Sequence, residues 1–287
     1  MKSALFILFV LITCNTIAQV PLLQKLWVGP DSTYMRANGK RILFETFTKR
    51  WGAINESVEY NLIGDTLRVT NPYTSQAPQT GAFLMDTLTK NKLKLTPLDN
   101  MAGYVAGALT KNNVLRQVTY KDVKQIYTDT IKFEKIIFKQ QGGYPGVQTL
   151  TYEVDEKGNF KMFREKTRQQ LAMVNLPADV AAQMEKYGGK SPADGYFTAK
   201  VPGGMLKQLT ELLKKSDLDK LPAKAQRNID VPDHIIEVHY NHKVKYIIAG
   251  WMPMIVQPLN EFLVCLPEMF MSKPTTQNPE IKFSHSE

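Results

Sequence analysis

Hydrophobic and polar residues alternate in short runs over the first 130 positions. Leu93 and Leu95 are interleaved with Lys92 and Lys94, the period of two that sets one face of a strand against a core. Lys40–Phe47 follows the turn signal Asn38-Gly39. Glu59–Leu62 and Thr66–Thr70 flank Ile63-Gly64-Asp65, while Ala82–Leu88 and Lys92–Thr96 flank Thr89-Lys90-Asn91. Gly64 supplies the positive φ that a tight reversal requires. Repeated short strands at turn-marked intervals predict an antiparallel sheet or a barrel. Met101–Ala108 is the one ambiguous stretch, because its two glycines weaken a helix.

The pattern changes near residue 131. Ile131–Lys139 reads as a strand, and Leu150–Val154 and Phe160–Phe163 enclose the turn Asp155–Asn159. Three helices follow from spacing. Pro177–Tyr187 begins with proline and ends before Gly188, with Val180, Met184 and Tyr187 on one face. Gly204–Lys215 carries the stripe Leu206, Leu209, Leu212 and Leu213. Pro258–Leu266 opens on proline, directs Leu259, Phe262, Leu263 and Leu266 inward, and stops at Pro267. Between the last two, His234–Tyr240 and Val244–Gly250 form a hairpin across Asn241-His242-Lys243. Residues 273–287 are polar and proline-containing, which predicts a loose tail.

The first residues read as an address. Lys2 is a positive n-region, Ala4–Ile12 is a run of nine uncharged apolar residues, and Thr16-Ile17-Ala18 places small residues before a cleavage point between Ala18 and Gln19. That is the pattern of a secretory signal peptide, and nine apolar residues are too few to span a bilayer. The mature chain is therefore expected to be exported, to the periplasm, the outer-membrane surface or beyond, without a transmembrane segment. A rival reading takes Leu11-Ile12-Thr13-Cys14 as a lipoprotein processing site, for which Thr13 is a poor fit. Cleavage after Ala18 removes Cys14, so Cys265 becomes the one thiol and no internal disulfide forms. Cys265 is expected to be a small hydrophobe buried within Leu259–Leu266.

Charge narrows the partners. The chain has 36 Lys+Arg and 27 Asp+Glu, or +9, and +8 without Lys2. Residues 20–130 hold 14 basic and 9 acidic side chains (+5), and residues 131–287 hold 21 and 18 (+3). Even Lys161, Arg164, Lys166 and Arg168, the densest cluster, enclose Glu165. A nucleic-acid binder concentrates charge on one face beside stacking aromatics, so nucleic acid is not an expected partner.

Candidate chemistry is sparse. His234, His239 and His242, with Asp230, Asp233 and Glu237, form the one dense group of metal-capable residues. Strand alternation puts Glu237 and His239 on one face and His234 on the other, with His242 in the turn. Only Glu237, His239 and His242 are then candidate metal ligands, and a solvated hairpin face explains them without a metal. Met252-Pro253-Met254 and Met269-Phe270-Met271 space soft thioethers as copper(I) favours, yet alternate methionines also simply fill a core. Gly188-Gly189-Lys190-Ser191 ends like a phosphate-binding loop but has Met184 where the first glycine is required. HExxH, GxSxG and EF-hand patterns are absent from the sequence. No catalytic residue, metal or cofactor is assigned.

Two resemblances follow from particular residues. Lys132–Phe138, Tyr152–Phe160, Gly195–Thr198, Leu206–Leu221, Asp230–Pro232 and the Pro258/Leu259 helix start resemble a domain of unknown function found in exported proteins of Bacteroidota. That resemblance implies a cysteine pair opening the hairpin, at positions held here by Gly143 and Val147, so a family disulfide or thiol function is lost. Trp27, Tyr60–Val69 and Phe83–Leu95 are similar to lipocalin-like domains of such proteins, which implies a barrel and a small apolar ligand. A filled core is the commoner outcome in a small barrel.

These readings combine into four parts: a signal peptide (1–18), a β-rich lipocalin-like domain (19–130), an α+β domain (131–272) and a polar tail (273–287). The expected fold is a β-rich antiparallel sheet or barrel, followed by an α+β domain with about three helices packed on an antiparallel sheet. The expected function is a non-catalytic binding or interaction module of the cell envelope, taking a small apolar ligand or another envelope protein. The alternative is an envelope hydrolase whose site assembles only on folding, with His234, His239 or Asp233 as first suspects.

Overall fold

The computed structural model describes residues 19–48, 52–71, 78–108, 114–128, 130–142, 149–165, 195–224, 231–269 and 280–284. The signal peptide with Cys14 and Ala18, the helix expected at Pro177–Tyr187, the Gly188–Ser191 loop, Gly143, Val147 and Asp230 lie outside them. The chain divides into two compact units, Met1–Tyr127 and Thr128–Glu287.

The first unit is a closed antiparallel barrel of eight strands, each paired with its sequence neighbour and the last with the first. The strands are β1 (Leu26–Val28), β2 (Thr33–Asn38), β3 (Arg41–Thr48) and β4 (Gly52–Ile63), then β5 (Thr66–Asn71), β6 (Gln79–Leu88), β7 (Lys92–Pro97) and β8 (Val118–Asp122). Ile63 pairs with Thr66, so the β4–β5 turn is only Gly64-Asp65, with Gly64 at φ +58°. Alternation then sorts the side chains. Phe83 and Met85 of β6 point inward between exposed Leu84 and Asp86, and Leu93 and Leu95 of β7 are fully buried. Trp27, Met35, Phe44, Leu67, Phe83 and Tyr120 fill the interior with no exposed surface, and the Phe44 and Phe83 rings stack at 5.6 Å. Burying each of Met35, Phe44, Leu67 and Phe83 stabilises the unit by about 1.5–3 kcal/mol.

Both ends of the barrel are covered. Residues 19–23 form helix α1, and Leu23 accepts a hydrogen bond from Trp27 Nε1 at 3.0 Å. At the other end lies α2 (Asn100–Val105), capped by Asp99, whose carboxylate accepts from Ala102 N–H at 2.9 Å and from Ala82 N–H at 2.7 Å. Gly81 of β6 lies so close that a Cβ there would sit 2.8 Å from Met101 Sδ and 2.9 Å from Ala102 N. The ambiguous 101–108 stretch is thus helical only as far as Val105, stabilised by a cap and by close packing rather than by propensity.

The second unit is a six-stranded antiparallel sheet. Its strands are β9 (Phe133–Gln141), β10 (Leu150–Asp155), β11 (Asn159–Arg164), β12 (Gly195–Lys200), β13 (Asp233–Tyr240) and β14 (Lys243–Ala249), in the order β12-β11-β10-β9-β13-β14. Its helices are α3 (Gly203–Lys214) and α4 (Gln257–Cys265), giving four helices among the described residues of the chain. Cross-strand registers place Phe197, Met162, Tyr152, Phe138, Ile236 and Ile247 in one buried row. Tyr152 Oη donates to the Leu263 carbonyl at 2.6 Å, so this row faces α4.

Three expectations need correction. The β13–β14 turn is two residues, not three, because Lys243 already pairs with Tyr240; Asn241 and His242 take φ +49° and +57°. α4 does end just before Pro267, as expected, and a separate 3-10 turn, Leu266–Met269, follows it. Cys265 is exposed, not buried. Leu259, Leu263 and Leu266 face the core, and at about 100° per residue position 265 falls on the opposite side of α4. Residues 280–284 of the expected loose tail lie against the sheet through Ser284 and Phe283. No helix among the described residues is long and apolar enough to cross a membrane.

Candidate functional site

Two places hold polar side chains in an arrangement that can be tested for chemistry. The first is the sheet face opposite α4, where the registers align Thr198, Lys161, Glu153, Ile137, Glu237 and Tyr246 across all six strands. Glu153 lies 3.5 Å from Lys135 Nζ and 3.6 Å from Lys161 Nζ. Glu237 has no exposed surface although it is a carboxylate. Its Oε1 lies 2.7 Å from His239 Nε2, and the Ser284 backbone N–H donates to both oxygens, at 3.0 and 2.9 Å. Burial pushes the Glu237 carboxyl up, but the Ser284 N–H and His239 outweigh it, so the group sits below the ordinary glutamate range.

Glu237, His239 and Ser284 are the residue types of a hydrolytic triad, and the carboxylate lies within hydrogen-bond reach of the histidine. The connectivity is not that of a relay. Ser284 Oγ approaches His239 at 3.5 Å, and it does so at Nε2, the nitrogen already engaged by Glu237. A relay needs the carboxylate on one ring nitrogen and the nucleophile on the other. Here Nε2 donates its proton to Glu237 and has no lone pair left to accept one from Ser284.

The remaining expected residues are dispersed. His242 is held in the turn by Glu134, which accepts from the His242 backbone N–H at 2.7 Å and lies 3.3 Å from Nδ1. A register shift between His239 and Tyr240 leaves Glu134 unpaired in β9. Glu237 and His239 therefore meet while His242 stays apart. Among the described residues no three His, Cys, Asp or Glu side chains are arranged to hold a metal. His234 lies on the opposite face, its ring 5.4 Å from that of Phe138. Burial lowers its pKa, and the neighbouring Asn260 and Asp233 offset part of that. His234 and His239 cannot serve one site across a sheet.

The second place is on the barrel wall. A depression of about 490 Å³ is lined by Glu59, Asn61, Arg68, Thr70, Thr80 and Asp99, with neighbours on β4, β5 and β6. Registers set Glu59, Thr70 and Thr80 in one row and Asn61, Arg68 and Ala82 in the next, all pointing away from the buried Val58, Leu67, Val69 and Phe83. The Asp99 carboxylate is spent on its two backbone donors. Arg68 is exposed. No described ion pair involves it, so the depression presents a cation beside an amide, two hydroxyls and the exposed Glu59 carboxylate. No family model, curated protein or solved structure matches this chain.

Ser284 and Arg68 escaped the sequence reading. Nothing marks Ser284, since its bond is made by a backbone N–H that any residue but proline carries. Arg68 was visible only as one outward position of an alternating strand.

Proposed function

We propose that this is an exported, non-catalytic binding module of the cell envelope whose ligand docks on the wall of a lipocalin-like barrel. The observation that carries the reading is the depression on β4–β6, where the Arg68 cation stands with Asn61, Thr70, Thr80 and the Glu59 carboxylate in its lining. Arg68 suits the carboxylate or phosphate of a polar ligand, and Glu59 suits a hydrogen-bond donor on that same ligand. The filled interior around Phe44 and Phe83 argues for moving the expected ligand from the barrel's centre to its wall, and from apolar to anionic. Export is inferred from Lys2, Ala4–Ile12 and the Ala18/Gln19 junction. The hydrolase alternative is disfavoured by the single-nitrogen geometry at His239.

Titrating isotope-labelled chain with short organic carboxylates and phosphates, followed by amide NMR, tests this. Shifts are expected at Arg68, Thr70 and Thr80, and are lost in Arg68→Ala. Shifts confined to the interior residues or to Glu237 and His239 would sink the proposal. Expression of the intact chain in a bacterial host tests export separately, with a mature N-terminus at Gln19 expected.

A further inference from the structure

The sheet face around Glu237 carries a second reading, independent of the barrel. We infer that Glu237, His239 and Tyr246 form a peptide-docking site, filled in cis by the chain's own Phe283–Ser284 and able to take the same segment from a second copy. The occupant defines the chemistry. Ser284 offers a backbone N–H to both oxygens of a fully buried carboxylate, and Phe283 meets Tyr246 edge-on with ring centroids 6.4 Å apart. Tyr246 and Glu237 are cross-strand partners, so two consecutive tail residues read two adjacent sheet residues. Ile281 and Phe283 are half-buried, whereas Glu280, Lys282 and Ser284 are exposed, the alternation of an extended peptide laid on a surface.

Residues 280–284 form no strand in the sheet, and among the described residues an aromatic edge and a shared N–H tie them to it. Segments outside a sheet's hydrogen-bonded ladder open without global unfolding. Each copy carries both tail and site, so reciprocal exchange between two copies closes a symmetric pair. The covalent tether keeps the cis tail at an effective concentration of order millimolar, so trans docking emerges when the cis contact is broken.

Two full-length variants separate the halves. Ser284→Pro lacks the donating N–H but keeps the site; Glu237→Gln keeps the tail but lacks the carboxylate. Unlabelled Glu237→Gln chain is added to isotope-labelled Ser284→Pro chain at near-millimolar concentration. The Glu237, His239 and Tyr246 resonances are expected to move toward their wild-type positions. Unlabelled Ser284→Pro chain should move none of them. Absence of shifts with the first addition, or equal shifts with both, overturns the inference. If circular dichroism shows Ser284→Pro unfolded, Phe283→Ala takes its place as the labelled and the control chain. A synthetic peptide of residues 280–284 must then reproduce the same shifts at millimolar concentration, and failure to do so also overturns it.

Discussion

Both units bury a carboxylate, and they hold it in different ways. In the barrel, Asp122 is 7% exposed and lies 2.6 Å from Lys25 Nζ, with Lys124 N–H donating at 2.9 Å. Trp27 pairs with Asp122 across the β1–β8 seam, and Lys25 stacks over the Trp27 ring at 4.2 Å, so the ion pair belongs to barrel closure. In the second unit Glu237 is fully buried, and its second partner comes from a segment that joins no strand. Burial raises both carboxyls, but their partners bring both below the ordinary range. One charge is thus tied into the cooperative framework of its unit, the other into a strap laid over it. The lesson is that equal electrostatic satisfaction does not imply equal coupling to global stability.

Removing the barrel's central ring should have the largest effect. Trp27→Ala opens a cavity beneath α1 and removes the surface on which Lys25 stacks, so a loss of about 3–5 kcal/mol is expected. Hydrogen exchange read residue by residue should show protection falling throughout β1–β8. A change confined to β1 would mean that closure is not cooperative with the rest of the barrel.

The carboxylates themselves come next. Asp122→Asn leaves Lys25 without its anion and should cost the barrel about 1–2 kcal/mol, spread over β1, β7 and β8. Glu237→Gln should instead release residues 281–284, with exchange of the Ser284 amide rising at least tenfold while β9–β14 keep their protection. Loss of protection across β9–β14 would break the distinction between framework and strap.

Acid should act on the same two places. Because both folded carboxyls lie below their unfolded values, their stabilisation is fully present above the unfolded range, about pH 4–4.5. It is lost as pH falls through the folded values. Protection of the Ser284 amide, corrected for intrinsic exchange, should decline below about pH 4.5 with the strap leaving before the barrel unfolds. Simultaneous loss of strap and barrel would contradict the comparison.

The residues that made the fold legible explain why the strap was not. Leu93 and Leu95 against Lys92 and Lys94 marked β7 almost to its ends, and Ile63-Gly64-Asp65 marked the β4–β5 reversal. Closure was less visible, because β1 has three residues and β8 five, too short for a period of two to stand out. The shared face of Glu237 and His239 followed from alternation alone. The latch did not, because a carboxylate bound to a backbone N–H leaves no side-chain signature at the donor. His242 was separated from them by a bulge at Glu134, and a bulge is an irregularity of pairing that strand periodicity does not report.

The smallest expected effect sits on α4, and it tests helix phase rather than electrostatics. Leu259, Leu263 and Leu266 recur at intervals of four and three, which centres the buried stripe on their side of the helix. Position 265 is about 200° from Leu263, so its thiol projects to solvent as observed. Cys265→Ser should therefore change stability by no more than about 0.5 kcal/mol, and a maleimide should label Cys265 in the folded chain without denaturant. A buried thiol would behave otherwise on both counts: the hydroxyl would lack a partner at a cost of about 1–3 kcal/mol, and labelling would wait for unfolding. A single mass-spectrometric time course of labelling, run with and without urea, decides between the two phases of α4.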